Sequence, residues 1–366
     1  MKFINLDRQY SRIKTEIDLA IQKVISRSDF IMGEEVFELE KELQKYLDIE
    51  NVICCASGTD ALLASLMALG VKTGDYIITT TFTFVATAEV ISLLGAIPLF
   101  ADILIPSYNI NPESVEEILR NSGKKVKGII AVDLFGYPCL YEWLKELADE
   151  FKLFIIQDAA QSFGSTYKGK QIGHYSDIAT TSFFPTKPLG CYGDGGAVIT
   201  KSSNIAKKVR SIIQHGKGDS KYDNIRIGFN GRMDTIQAAI LLEKLKIFDD
   251  ELNLRKKLAK EYTKRIERKV YVPTENSIST SSWAQYSILL GKDSRNGAKV
   301  FLKKLGIPTN IYYPTPLHLQ HVYNNGESLG NAEDTSREIL SLPMCPYLKS
   351  DEIEYICNSL ISYCEL

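Results

Sequence analysis

The sequence predicts an α/β protein: a large unit built on a mixed, mostly parallel sheet, followed by a smaller C-terminal α+β unit. Three observations predict it. Five apolar runs alternate with helical patterns: NVICC (51–55), YIITT (76–80), IPLF (97–100), GIIAV (128–132) and LFIIQ (153–157). Runs this apolar belong to strands buried on both faces, which is the habit of parallel sheets. Two more strand-like runs, 178–184 and 196–200, follow with no helix between them, so the sheet is mixed. Near residue 232 the rhythm changes altogether.

Taken in order, residues 7–28 read as an amphipathic helix with Ile13, Ile17, Ala20, Ile21, Val24 and Ile25 on one face. Gly33 punctuates, and a second helix runs through Val36, Leu39, Leu43 and Leu47. Helical patterns at 59–69, 84–95, 112–121 and 139–151 link the five apolar runs. One long helical pattern, rich in Leu, Lys and Glu, covers 235–268. Then come a strand (Tyr286–Leu290), a helix (293–305), a short strand (307–312) and a C-terminal helix (351–363). The expected division is 1–234 for the large unit and 235–366 for the long helix with the small unit.

Composition narrows the partners. A 366-residue chain with 45% hydrophobic and 24% charged residues is globular, not disordered. A net charge of -2 offers no electrostatic footprint for nucleic acid. No apolar run is long enough to cross a membrane, and the opening MKFINLDRQY lacks a signal peptide's apolar stretch. The seven cysteines are irregularly spaced, and adjacent Cys54 and Cys55 are badly placed to bond each other. No CxxC pair is present, and His174, His215, His318 and His321 show no ligand spacing. The expectation is reduced thiols, no metal and a cytoplasmic location. His318 and His321 read as loop residues. His215, in QHGK, reads either as an active-site neighbour or as the end of a helix stopped by Gly216.

Three features of the large unit carry chemistry. Ser57-Gly58-Thr59-Asp60 follows a strand and opens a helix, where free backbone N–H groups suit a phosphate; an ordinary N-cap is the plainer reading. Asp158, in QDAAQ (157–161), sits at the C-terminal end of a strand, where open α/β sheets bind ligands; capping the next helix is its alternative. Lys187 stands between Pro185 and Pro188 and precedes Gly190, Gly193, Gly195 and Gly196. Such a lysine lies in a tight, irregular loop and not on a helix surface. A lysine for a Schiff base, an aspartate for a pyridine nitrogen and a helix N-terminus for a phosphate are the three anchors of pyridoxal phosphate.

The segments SGTDAL (57–62), TFTFVATAE (81–89), QDAAQSFG (157–164), TSFFPTKPLGCYGDGG (181–196), GFNGRMD (228–234) and YYPTPLHLQ (312–320) resemble the DegT/DnrJ/EryC1/StrS family. Those proteins are pyridoxal-phosphate-dependent nucleotide-sugar aminotransferases, and the resemblance spans essentially the whole chain. It implies PLP fold type I, the aspartate aminotransferase-like fold. It also implies that Lys187 is the catalytic lysine bound to pyridoxal 5′-phosphate. Asp158 would meet the pyridine nitrogen and Gln161 the ring hydroxyl, where many such enzymes use histidine. Gly58, Thr59 and Ser182 would hold the phosphate, and Phe84 would stack on the ring. Asn230 and Arg232 would reach the site of the other subunit in a homodimer with shared active sites, Asn230 toward the cofactor and Arg232 toward substrate. Tyr313 would also approach substrate.

Within the family the chain is most similar to enzymes that aminate the C-3 ketone of UDP-2-acetamido-3-keto-glucuronic acid, with L-glutamate as donor, for surface glycans such as lipopolysaccharide O-antigen. The alternatives are a dTDP-3-keto-6-deoxyhexose or a 4-keto sugar as acceptor. Tyr312 stands where several sugar 3-aminotransferases have histidine. Relatives that are sugar dehydratases replace the lysine by histidine, and non-catalytic regulators tolerate its loss; Lys187 argues against both.

Overall fold

The computed structural model describes residues 1–366 except Lys221, Asp293, Asn325 and Leu366. The first predicted helix is two helices. Helix α1 (Leu6–Arg12) is capped by Asn5, whose side chain accepts from the Arg8 N–H, and α2 (Lys14–Arg27) starts after a bend at Ile13. Ile13, Ile17 and Val24 are buried, but Ile25 is exposed. One residue beyond Val24 lies about 100° further round the helix and leaves the buried stripe. Helix α3 (Glu34–Leu47) buries Val36, Leu39, Leu43 and Leu47 completely, as their spacing predicts.

The alternating segment follows the sequence closely. Its elements are β1 (Asn51–Cys55), α4 (Gly58–Ala68), β2 (Tyr76–Thr80), α5 (Ala86–Leu93), β3 (Ile97–Ala101), α6 (Pro112–Asn121), β4 (Val126–Val132), α7 (Tyr141–Phe151) and β5 (Phe154–Asp158). After the two-residue β6 (Thr166–Tyr167) come β7 (Ile178–Ser182), β8 (Gly196–Thr200) and α8 (Ser203–Ile212). Seven strands form one sheet in the order β1-β8-β7-β5-β4-β2-β3. β8 runs antiparallel to both of its neighbours, and the pairs β7–β5, β5–β4, β4–β2 and β2–β3 are parallel. The sheet is therefore mixed for the reason the missing helix predicts: β7 and β8 need no crossover. Side chains alternate between two cores. Val52 and Cys54 of β1 face α3, whereas Ile53 and Cys55 face α4 and α8.

The single long helix expected over 235–268 is broken. Helix α9 (Thr235–Leu245) ends before Lys246 and Ile247, and α10 (Phe248–Ile266) begins anew. Phe248 is buried in the same core as Ala238 and Leu241, and Asp249, Asp250 and Glu251 occupy the first turn of α10. Acidic residues there suit the positive end of a helix dipole. They are the one trace of the break in a stretch with neither Pro nor Gly. The remaining elements are β9 (Ser279–Thr280), β10 (Tyr286–Leu289), α11 (Ser294–Lys304), α12 (Gly330–Glu338), β11 (Ile339–Leu342) and α13 (Ser350–Cys364). β10 pairs antiparallel with β11, and α10, α11 and α13 cover them around Tyr262, Tyr286, Leu302 and Leu360. The expected strand 307–312 reduces to a single bridge, Asn310 with Ser341. Because α9 packs in the first core, we propose that the second unit starts at α10 and not at residue 235.

Candidate active site

Strands β2, β4, β5 and β7 point their C-terminal ends the same way, and a cavity of about 490 Å³ opens beside them. Gly58, Thr59, Phe84, Asp158, Gln161, Ser182, Lys187 and Tyr313 all line it. Asn230 and Arg232 do not. Arg232 Nε donates to Asn230 Oδ1 at 2.9 Å, on an exposed segment that leads into α9. The cavity thus assembles eight of the ten expected residues within one chain.

One end of the cavity is the start of α4. Ser57 is indeed the N-cap: its Oγ accepts the Asp60 N–H at 3.0 Å and its carbonyl accepts that of Ala61 at 3.0 Å. The N–H groups of Gly58 and Thr59 lie before the first intrahelical bond and face no helical acceptor. Gly58 is needed for close packing, since a Cβ there would stand 2.7 Å from Ser182 Cβ.

Asp158 closes β5 and is 6% exposed. No helix follows it, so the capping alternative fails. Its Oδ1 accepts the Ala160 N–H at 3.2 Å, and its Oδ2 accepts the Thr87 hydroxyl at 3.0 Å. Burial pushes the carboxyl above the ordinary range, while Ala160, Thr87 and Lys187 pull it back. Behind it, the fully buried Asp133 carboxylate accepts from Tyr141 Oη, the Cys139 N–H, Gln157 Nε2 and Ser162 Oγ at 2.6–2.9 Å. This ties β4, β5 and the Ser162 turn into one rigid floor.

Lys187 rides on the tight loop that its prolines and glycines predict. Its N–H donates to the Phe184 carbonyl at 2.8 Å, and the Cys191 N–H donates to that of Phe183 at 2.8 Å. A Cβ on Gly190 would meet the Phe184 and Pro185 carbonyl oxygens at 2.6 and 2.7 Å. Burial pushes the Lys187 ammonium down, against the opposite pull of Asp158. Gln161 is oriented by the Phe135 N–H, which donates to Oε1 at 2.8 Å. That leaves its Nε2 donors for the cavity side, one of them toward Tyr313 Oη at 3.4 Å. Phe84 is 58% exposed at the wall, an open aromatic face.

Residues 11–361 match the DegT/DnrJ/EryC1/StrS aminotransferase family. The chain belongs to that family. It is 42% identical over 362 residues to the UDP-2-acetamido-2-deoxy-3-oxo-D-glucuronate aminotransferase of Pseudomonas aeruginosa, covering 98% of this chain and 99% of that one. It is 40% identical to the pleiotropic regulatory protein of Geobacillus stearothermophilus, covering 98% and 97%. Among solved structures, a DegT DnrJ EryC1 StrS aminotransferase from Brucella abortus superposes with a TM-score of 0.97 at 43% identity, covering 100% of each chain. NtdA from Bacillus subtilis, solved with bound cofactor PMP, superposes with a TM-score of 0.91 at 28% identity, over 100% of this chain and 83% of that one.

The aminotransferase is pyridoxal-phosphate-dependent, and its cavity fits that cofactor. A buried carboxylate held by two donors faces a desolvated lysine; a helix start pared to glycine adjoins Ser182; an aromatic ring stands open beside them. Several residues of the aminotransferase site escaped the sequence reading. Thr87 lies in TFTFVATAE but shows its role only through Asp158. Asp194 and Gln285 also line the cavity, as does Tyr312, the position that stands where several sugar 3-aminotransferases have histidine. His318 is no loop bystander: it is fully buried, its N–H donates to Thr81 Oγ1 at 3.2 Å, and its Nδ1 shares a hydrogen bond with the same hydroxyl at 2.6 Å. Its Nε2 faces Glu333 Oε1 at 3.4 Å. This pins the Tyr313 segment to the strand end that leads to Phe84.

Proposed function

We propose that the enzyme moves the amino group of L-glutamate to the C-3 ketone of UDP-2-acetamido-3-keto-glucuronic acid, in the cytoplasm, for a surface glycan. The observation that carries the substrate is the 42% identity to the Pseudomonas enzyme along 98% of the chain. When bound, pyridoxal phosphate supplies an electron sink and a carrier for nitrogen. Asp158 would meet the ring nitrogen and favour its protonated form, because an opposite charge favours the cation. Lys187 takes the proton from glutamate Cα in the first half-reaction. In the second it delivers a proton to the sugar carbon that receives the nitrogen. The N–H groups of Gly58 and Thr59, with Ser182, would hold the phosphate, Gln161 Nε2 would donate to the ring oxygen, and Phe84 would cover the ring. Two substrates share one site in turn, so ping-pong kinetics are expected.

Charge supports a shared site. The cavity of one chain holds Lys187 against Asp158 and Asp194, too little positive charge for a phosphate and a substrate carboxylate. The supply we infer is the segment after α8, which carries exposed Ile225, Ile227 and Asn230 and then Arg232. In a homodimer, Asn230 reaches the neighbouring cofactor phosphate and Arg232 the substrate carboxylate. Mixing inactive Lys187→Ala with inactive Asn230→Ala should restore part of the activity through hybrid dimers that own one intact site. No recovery after proven subunit exchange removes the sharing from the reading.

Arg232 also separates the acceptors. Its planar fork suits the C-6 carboxylate of a uronic acid as well as a glutamate carboxylate, with Tyr313 adding a hydrogen bond. A 6-deoxy sugar leaves the guanidinium unpaired, at a cost of about 1–3 kcal/mol. The expected result is a kcat/KM about tenfold or more higher for the UDP-linked 3-keto uronic acid than for a dTDP-linked 3-keto-6-deoxyhexose or a 4-keto sugar, a gap that Arg232→Lys narrows. Equal loss on both acceptors, or preference for the deoxy sugar, sinks the carboxylate argument and leaves the transaminase.

A further inference from the structure

Lys244 lies in α9, outside the cavity, and is only 1% exposed. Its Nζ donates to the Gly190 carbonyl at 2.6 Å and sits 4.1 Å from the centre of the Tyr192 ring. Gln237, seven positions earlier and so about two turns along the same face, accepts the Tyr192 N–H at 3.0 Å. Helix α9 therefore grips the loop that carries Lys187 at Gly190 and at Tyr192. The grip is stereochemically demanding, because Gly190 has no room for a side chain and its carbonyl is held in one direction.

The site is an expensive place for a cation. Among the described residues no carboxylate forms an ion pair with Lys244. The charge closest in effect, Glu251 of α10, is engaged by Gln9 Nε2 at 2.9 Å and by Tyr347 Oη. An apolar side chain would fill the same space without the desolvation cost. What an apolar side chain cannot do is hold the Gly190 carbonyl.

We propose that Lys244 is a positioning residue for Lys187: by pinning Gly190 it holds the 184–190 turn so that the Lys187 amine stays in the cavity opposite Asp158. The inference rests on Lys187 being the lysine that binds the cofactor. Burial lowers Lys244 to about 8. The groups that face it are Glu251, Cys191 and Tyr192, with Tyr10 and Asp18 behind the Tyr192 ring. Above that pH the ammonium loses its charge and the grip weakens.

The test uses the cofactor-loaded enzyme and three readouts: kcat against pH, the pH midpoint of the cofactor's visible absorbance band, and thermal stability. In Lys244→Met, kcat should fall about tenfold to a hundredfold, as a small misplacement of a reacting group does. Its spectral midpoint should move by about half a pH unit or more, while the melting temperature does not drop. Lys244→Arg keeps the donor and does not titrate. It should recover most of the loss and lack the wild-type decline above about pH 8. Wild-type kcat and midpoint in Lys244→Met overturn the proposal, as does a loss of activity that merely tracks a loss of stability. Should Lys244→Met not fold, Tyr192→Leu replaces it with the same expected shift, and an unshifted midpoint there is equally decisive. Borohydride reduction and peptide mapping keep the two ideas apart: label on another lysine ends the Lys187 reading, whereas label on Lys187 with unchanged behaviour in the variants ends only this inference.

Discussion

Lys187→Ala abolishes amine transfer: turnover falls by at least about 10⁴-fold, which corresponds to about 5 kcal/mol. The size follows from losing at once the two roles proposed for it, the covalent attachment of the cofactor and the general base for both half-reactions. No other amine replaces it, because among the described residues Lys187 is the one lysine that lines the cavity. Its neutral form is made available by burial, which pushes the ammonium down despite Asp158 nearby. Borohydride reduction of the wild-type enzyme fixes the pyridoxyl group on Lys187, and the variant takes up no such label. Label elsewhere, or turnover within a hundredfold of wild type, removes Lys187 from the centre of the mechanism.

Asp158→Asn is the second large effect. The amide keeps the size and loses the charge, so the ring nitrogen is no longer held protonated. A loss of about 10³-fold in kcat, about 4 kcal/mol, is the scale of removing one preorganised electrostatic group. Stability should move the other way in the cofactor-free protein. Burial raises the folded-state pKa of Asp158 above its unfolded value. The folded chain then binds more protons than the unfolded one between those two values, so stability falls as pH rises through that window. Above it the ionised carboxylate is a net cost. Asp158→Asn removes that cost, and the cofactor-free variant should melt higher than wild type at neutral pH. The difference should shrink as pH falls below the ordinary carboxylate range. Paired denaturation curves at two pH values check this, and a variant that melts lower at neutral pH contradicts it. A carboxylate retained at a cost to stability is what a functional site requires.

Much of this was legible in the residues themselves. The five apolar runs announced buried strands because both faces of the sheet are covered, and the absent helix between 178–184 and 196–200 announced the antiparallel strand. Lys187 was legible because Pro185, Pro188 and the glycines restrict the backbone locally. The Asp158 and Gly58 positions were legible because strand ends and helix starts have local signatures. Where the reading failed, the cause was non-local. Helices α9 and α10 part at a site with no Pro or Gly, because Phe248 turns into the core built by α3 and the sheet. The strand expected at 307–312 has only one bridging partner, and β11, which supplies that bridge, has no strong pattern of its own.

Local chemistry thus assigned the class of fold and the cofactor, and it nominated the lysine proposed to bind it. Those conclusions rest on backbone restriction and burial period, which act over a few residues. The support of the site came from tertiary structure alone. Thr87 meets Asp158 across 71 positions, Lys244 meets Gly190 across 54, and His318 meets Thr81 across 237. A threonine, a lysine and a histidine carry no mark of such partners, because a hydrogen bond depends on distance in space, and separation along the chain does not encode it until the sheet has brought the loops together.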